Sequence, residues 1–283
     1  MSVLAYELIP IFIDAIAVLG LYVISCSGRM SVGHAAFFGI GGYASGLVSI
    51  HLGAPAALSV CAGALLAGLA GALFGAIVDR LSHWFFATTT IAFTVMVSGL
   101  FSSMELFGGA VGLHGVPLVV NFPITLTCLV MAVALVVALD HSSLGRRIKA
   151  VRESELAAES IGINLFRTRV LALFIGTSLA GLAGGLWVHY LGLIKPGDIG
   201  LERSLLFLIY LAIGSTETWY GALLGTLVLG YMPEVLRFSH DYRLAFFGAL
   251  LTVVMVLRPY GLLPAGMKFG ALRDRLRGRR QPG

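Results

Sequence analysis

Residues 119–139 read VVNFPITLTCLVMAVALVVAL, without a single charged side chain. A helix rises about 1.5 Å per residue, so roughly 20 such residues cross the 30 Å hydrocarbon layer of a bilayer. The chain then turns polar at once: residues 140–169 read DHSSLGRRIKAVRESELAAESIGINLFRTR. This change from apolar run to charged loop predicts an all-α, polytopic membrane helix bundle. The same rule places further spans at 8–26, 31–50, 56–78, 84–101, 170–194, 201–214, 219–236 and 243–257. The segment 201–214 is too short for a full crossing and reads as a broken or half-length helix. The expectation is about eight to ten transmembrane helices in one domain covering 1–283. Within it, 140–169 forms a cytoplasmic loop and 268–283 a basic cytoplasmic tail.

Composition supports this and excludes the alternatives. Hydrophobic residues make up 58% of the chain and charged residues 12%, against about 25% charged in a soluble domain. That is too little to cover a water-facing surface, which excludes a soluble enzyme, a nucleic-acid binder and a disulfide scaffold. The net charge of +5 is read as loop charge, not as a nucleic-acid footprint. Glycine is abundant, 36 residues, as in membrane helices that pack backbone against backbone. Gly42/Gly46, Gly71/Gly75, Gly181/Gly185 and Gly221/Gly225 each place two glycines on one helical face. Cys26, Cys61 and Cys128 lie in or beside apolar runs with no metal-ligand or disulfide spacing, and no cofactor is expected. The first basic residue is Arg29, so the charged start of a cleavable signal peptide is missing.

Basic residues orient the bundle, because loops on the cytoplasmic side retain Lys and Arg. With the amino terminus outside and nine crossings, fifteen of the 19 Lys and Arg fall inside: Arg29, Arg80, six in 140–169 and seven in the C-terminal tail. Lys195, Arg203, Arg237 and Arg243 remain outside.

Charge within the spans is sparse. Asp14 is the one acidic residue well inside an apolar run, and His34 and His189 are the clearest histidines. No relay of carboxylates crosses the membrane, which disfavours a proton or sodium carrier. A Walker loop ends in Gly-Lys, yet the three lysines follow Ile148, Ile194 and Met267. Energy for active transport would have to enter through a partner. The segment able to receive it is 140–169, where Leu144, Ile148, Val151, Ala158, Ile161 and Leu165 form one stripe of an amphipathic helix. Ser142 or Ser143 caps its start and Gly162 its end. Two readings follow: a topogenic loop held inside by its basic residues, or a docking helix that inserts its stripe into a cytoplasmic partner.

Five blocks, in order, carry a resemblance. They include SGRMSVGHAAFFGIGGYASGLV (27–48), WFFATTTIAF (84–93), FGGAVGLHGVP (107–117) and SLGRRIKAVRESELAAESIGIN (143–164). Together they resemble the permease subunits of branched-chain amino-acid ABC importers, of the LivM type, nearly end to end. The first is similar to that family's Gly-x-x-Ser-x-Gly-His-Ala-x-Phe-x-Gly-x-Gly-Ala-Tyr element. The fourth is similar to Gly-Arg-x-x-x-Ala-x-Arg-Glu-Asn-Glu-x-Ala-Ala-x-x-x-Gly-Ile-Asn, with Ser154 as its one substitution. The fifth block departs from the pattern. Where the family has paired glycines and a Gly-Pro after SLLFLIYLAIG, this chain has Ser215, Glu217 and Tyr220, and Arg29 stands where Gln is frequent. Glycines there would permit tight turns, so the hairpin is expected to be built differently.

The resemblance implies a type II ABC importer permease in a bacterial inner membrane, without catalysis of its own. It further implies a second, LivH-like permease subunit, two cytoplasmic ATPases and an extracytoplasmic solute-binding protein as partners. It assigns ATPase coupling to Arg152, Glu153, Glu155, Ala157, Ala158, Gly162 and Asn164. Candidates to line the pathway are His34, Phe37, Phe38 and Tyr43, together with Thr88, Thr89, Thr90 and Thr94. Threonine in a membrane helix also bonds to its own preceding carbonyls, so the threonines carry two readings. The substrate is a branched-chain amino acid or a related small polar solute: another amino acid, urea or a short amide. A channel or facilitator working without ATP is the alternative from another class.

Overall fold

The chain is described by a computed structural model over residues 3–235. The expected span at 243–257, the tail at 268–283, Arg237 and Arg243 lie outside these residues. Within them the elements run α1 Val3–Ser25, α2 His34–Leu52, α3 Ala56–Val78, α4 His83–Ser103, α5 Phe122–His141, α6 Ser143–Glu153, α7 Glu155–Ser160, α8 Leu165–Leu191, α9 Leu201–Gly214 and α10 Trp219–Val235. Two-residue strands, β1 Leu113–His114 and β2 Leu193–Ile194, pair antiparallel. Six helices, α1 to α5 and α8, are long and apolar enough to cross a membrane. They match the first six expected spans, with ends displaced by a few residues. α8 starts five residues early, at Leu165, because Asn164 caps it, its Oδ1 accepting from the Arg167 amide at 2.9 Å.

Glycine decides how closely the helices approach. α8 runs along α1, α2 and α3, and at its contacts backbone meets backbone. A Cβ on Gly41 would stand 2.2 Å from the Gly181 Cα, and one on Gly20 would stand 2.3 Å from the Gly176 carbonyl oxygen. The four glycine pairs expected to sit on helix faces all lie against neighbours, Gly71 on Thr177, Gly75 on Leu173 and Gly185 on Val60 among them. Large apolar side chains point the other way. Leu69, Leu73 and Ile77 of α3, Val95 and Met96 of α4, and Val130, Met131 and Leu135 of α5 are all exposed. That outward apolar face is stable only against lipid or another apolar surface.

Two segments enter the bundle without crossing it. After α1 the chain turns back and α2 begins deep inside, where the His34 Nε2 lies 3.0 Å from the Ala17 carbonyl. Ala17 is a little over two turns, or about 12 Å, above the end of α1. On the opposite side β2 and a 3-10 turn, Pro196–Ile199, lead down along α2 to α9. α9 begins beside the start of α2, the Ala35 amide donating to the Ser204 Oγ at 3.1 Å. Its 14 residues extend about 21 Å, short of a crossing. The chain then bends by 118° into α10, which packs back along α1. Residues 201–235 are therefore two arms of one bent pair, the first of them half-length as the short segment 201–214 anticipates.

One position needs correction. Arg203 was expected in an outside loop. It lies instead in the first turn of α9, its Nη2 donating to the Asp14 Oδ1 at 2.8 Å. Asp14 is midway along α1. Counting apolar residues missed this because the entry into α9 is made by coil and 3-10 backbone, which carries no helical periodicity.

Candidate functional site

The segment between α5 and α8 is built from caps. The Ser142 Oγ accepts from the Gly145 amide at 3.0 Å and starts α6. Ser154 is extended, at φ −159 and ψ 114, and its side chain accepts from the Ala157 amide to start α7. Gly162, at φ +81, ends it in the left-handed region that side-chain-bearing residues avoid. The single amphipathic helix expected over 140–169 is thus two short helices broken at Ser154. A serine there competes for backbone hydrogen bonds and favours a cap over a helix interior.

The middle of the apolar stripe also faces the other way from the docking expectation. Ile148, Val151 and Ala158 are buried, at 1%, 2% and 2% exposure, against the protein's own bundle. What is offered outward is Leu156, outside the stripe, and Ile161, the one stripe member left exposed. Leu156 is 82% exposed and Ile161 73%, with Glu153, Ala157 and Glu159 exposed beside them. The seven residues assigned to coupling therefore divide. Glu153 and Ala157 are on the outer face. Ala158, Gly162 and Asn164 shape the segment. Arg152 and Glu155 reach back into the membrane part.

Those two reach different places. The Arg152 Nη1 donates to the Thr216 carbonyl oxygen at 2.8 Å, in the turn between α9 and α10. Glu155 pairs with Arg169 of α8, whose Nη1 is 3.5 Å from the Asp79 Oδ1 at the end of α3. The Arg29 Nη2 donates to the Asp79 carbonyl at 2.6 Å, and the guanidinium stands 5.3 Å from the Phe86 ring centre. Arg29 thereby ties the α1–α2 segment to α3 and α4. Burial, and then the like charge of Arg169, hold its guanidinium below the usual range. An open cleft of about 900 Å³ lies between this cluster and α7, with Arg80, Glu159 and Phe166 on its walls.

The pathway candidates are interior in this chain. His34, Phe37 and Phe38 are fully buried and Tyr43 is 1% exposed. Phe37 stacks on Phe93, ring centres 5.2 Å apart, and Tyr43 lies 4.3 Å from the Phe101 ring. Each threonine bonds within its own helix: Thr88 to Trp84, Thr89 to Phe85, Thr90 to Ala87 and Thr94 to Thr90. Thr90 also accepts from the Val32 amide at 3.0 Å, which anchors the start of α2. Phe38 has a second task. With Trp187 and Phe207 it encloses the Arg203 guanidinium, whose Cζ lies 4.3, 3.9 and 5.6 Å from the three ring centres. Sequence reasoning marked Asp14 but missed its partner. The available signal was the rule that a carboxylate in a span is almost always paired.

Comparison with known proteins decides the family. The sequence pattern described as "Branched-chain amino acid transport system / permease component" matches residues 4–257. The chain belongs to this family. Among its relatives, the high-affinity branched-chain amino acid transport system permease protein LivM of Escherichia coli (strain K12) is 25% identical over 86% of this chain. The chain spans 65% of the length of that relative. LivH of Salmonella typhimurium is 27% identical over 60% of the chain and 55% of its own length. The ribose import permease protein RbsC of Haemophilus influenzae is 26% identical over 87% of the chain and 81% of its own length. No solved structure gives a significant match. The family explains why six apolar helices carry so few charges, since its members are named as permease components.

Proposed function

We propose that this chain is the membrane-spanning permease subunit of an ABC importer in a bacterial inner membrane. It carries branched-chain amino acids or related small polar solutes into the cytoplasm and catalyses no reaction itself. It pairs with a second, LivH-like permease subunit, draws energy from two cytoplasmic ATPases and receives solute from an extracytoplasmic binding protein. The observation that carries the reading is the outer face of α7. Leu156 stands exposed there and Ile161 just past its end, on a segment rich in charge and outside the apolar spans. An apolar pair of this kind fits a pocket on a protein partner. The solute pathway runs along the subunit's face toward the second permease, with His34, Phe37, Phe38, Tyr43, Thr89 and Thr94 shaping its wall from within.

The test is replacement of Glu153 and Ala157 by Arg, and separately Leu156→Glu, in the complete complex. Loss of ATPase co-purification and of substrate-stimulated ATP hydrolysis is expected from each. Retention of both in either variant overturns the docking role of α7. Uptake into liposomes by the permease pair alone, without ATP, would instead support a facilitator.

A further inference from the structure

We propose that the Asp14–Arg203 pair is where the membrane part holds the solute by its own charges, the carboxylate of an α-amino acid on Arg203 and its ammonium on Asp14. This assignment rests on the importer reading above and names the groups that recognise the solute. Asp14 lies at the middle of α1, Val3–Ser25, about 17 Å from either end. Arg203 comes from the first turn of α9, and its Nη2 donates to the Asp14 Oδ1 at 2.8 Å. Charge at that depth is costly and is kept where it serves a solute or ion path. An α-amino acid carries its ammonium and carboxylate on one carbon, so it presents two opposite charges as close together as these.

Three features make the pair a site as well as a joint. First, its bonding capacity is only part used. Among the described residues, the Asp14 Oδ2 and the Arg203 Nε and Nη1 have no hydrogen-bond partner. Phe38, Trp187 and Phe207 hold the guanidinium through their rings, which takes up no N–H donor. An acceptor for an ammonium and donors for a carboxylate are left side by side. Second, these atoms are reachable. They are absent from the sealed, unpaired polar atoms of the described interior, and 13% of the Arg203 side chain and 16% of that of Asp14 stay open. Ile13, Ala15 and Ile16 around Asp14 are at 0%. Along α1, Glu7, Leu8, Pro10, Phe12 and Asp14 are part-exposed, while residues 15–27 are all buried. Exposure along α1 thus begins at the end that the basic residues place outside, and stops at the pair. Third, the backbone adds the same sign as Arg203. α9 starts at the depth of Asp14 with no side-chain cap, so its free amides and dipole favour an anion there, as half-helices do in transporters of other folds. The rings around the guanidinium supply an apolar wall for an aliphatic side chain.

The experiment uses the complete complex and radiolabelled L-leucine. Uptake into liposomes, with binding protein and ATP, checks the importer reading. Saturable binding of L-leucine to the complex without binding protein checks the site, in competition with isocaproate, which lacks the ammonium, and isoamylamine, which lacks the carboxylate. Each analogue should compete at least about tenfold more weakly than unlabelled leucine, the effect of losing one charge-assisted hydrogen bond. Asp14→Asn/Arg203→Met removes both charges as a unit, the change best tolerated by the fold. Its complex should elute as the parent does, bind no leucine and take leucine up at least about tenfold more slowly. Competition by either analogue as strong as that of leucine overturns the proposal, and needs no variant to fold. So does unchanged leucine binding in the double variant. Uptake by a parent complex that shows no saturable binding overturns the site and leaves the importer reading standing. Absence of uptake by the parent overturns the importer reading for this solute, and the site with it.

Discussion

Replacing Arg203 with Met tests whether one ion pair holds α9 to α1. The pair is close, 2.8 Å, and the two side chains are 13% and 16% exposed. Removing the cation leaves the Asp14 carboxylate between Ile13 and Ala15, both fully buried. Breaking a buried pair from one side costs about 3–5 kcal/mol, because the remaining charge is desolvated without compensation. Loss of the guanidinium from among Trp187, Phe38 and Phe207 adds on the order of 1 kcal/mol. At roughly 2–4 °C per kcal/mol, the melting temperature should fall by on the order of 10 °C. The double variant Asp14→Asn/Arg203→Met removes both charges and should return to within about 2 kcal/mol of the parent, since an ion pair replaced as a unit is often neutral. The assay is survival of the monodisperse peak on size-exclusion chromatography after heating, in one detergent for all variants. A double variant that melts as low as the sum of the singles would falsify the reasoning. So would an Arg203→Met protein melting within about 2 °C of the parent.

Two further outcomes follow from packing and capping. Gly41→Val should abolish the folded peak in the same assay, because its Cβ would lie 2.2 Å from the Gly181 Cα and neither backbone can withdraw. Gly99→Ala, where nothing lies within 4 Å, should be neutral or raise stability by up to about 1 kcal/mol through helix propensity. Asn164→Ala should destabilise the start of α8 by about 1 kcal/mol. Faster hydrogen exchange at the Arg167 and Thr168 amides, with the middle of α8 unchanged, would be the sign, and uniform exchange along α8 would count against the cap.

Much of the fold was legible because a membrane helix announces itself by length and apolarity, and the bilayer demands both. Residues 119–139 needed no tertiary information, and Phe122–His141 is helical as read. The caps were legible for a similar reason. Ser142 and Gly162 act over three or four residues, so their chemistry is local. The orientation of the 140–169 stripe was not. A period of three and four identifies an apolar face but not what covers it, and Ile148, Val151 and Ala158 are covered by the protein's own helices. Of the residues left for a partner, Ile161 belongs to the stripe and Leu156 does not, and nothing in the pattern separates them from the rest until Ser154 breaks the segment into α6 and α7.

By itself, then, the sequence determined the solvent, the helices and their family, since composition, span length and ordered motifs are properties of contiguous residues. Tertiary structure decided which charges meet. Asp14 and Arg203 are separated by almost the whole of the described chain, and Arg152 and Thr216 by more than sixty residues. Neither pairing leaves a periodic trace, because a hydrogen bond between distant segments depends on where glycines let the helices approach. Those approaches are set by the packing of α8 against α1, α2 and α3, and by the half-length α9 that this packing holds within the bundle.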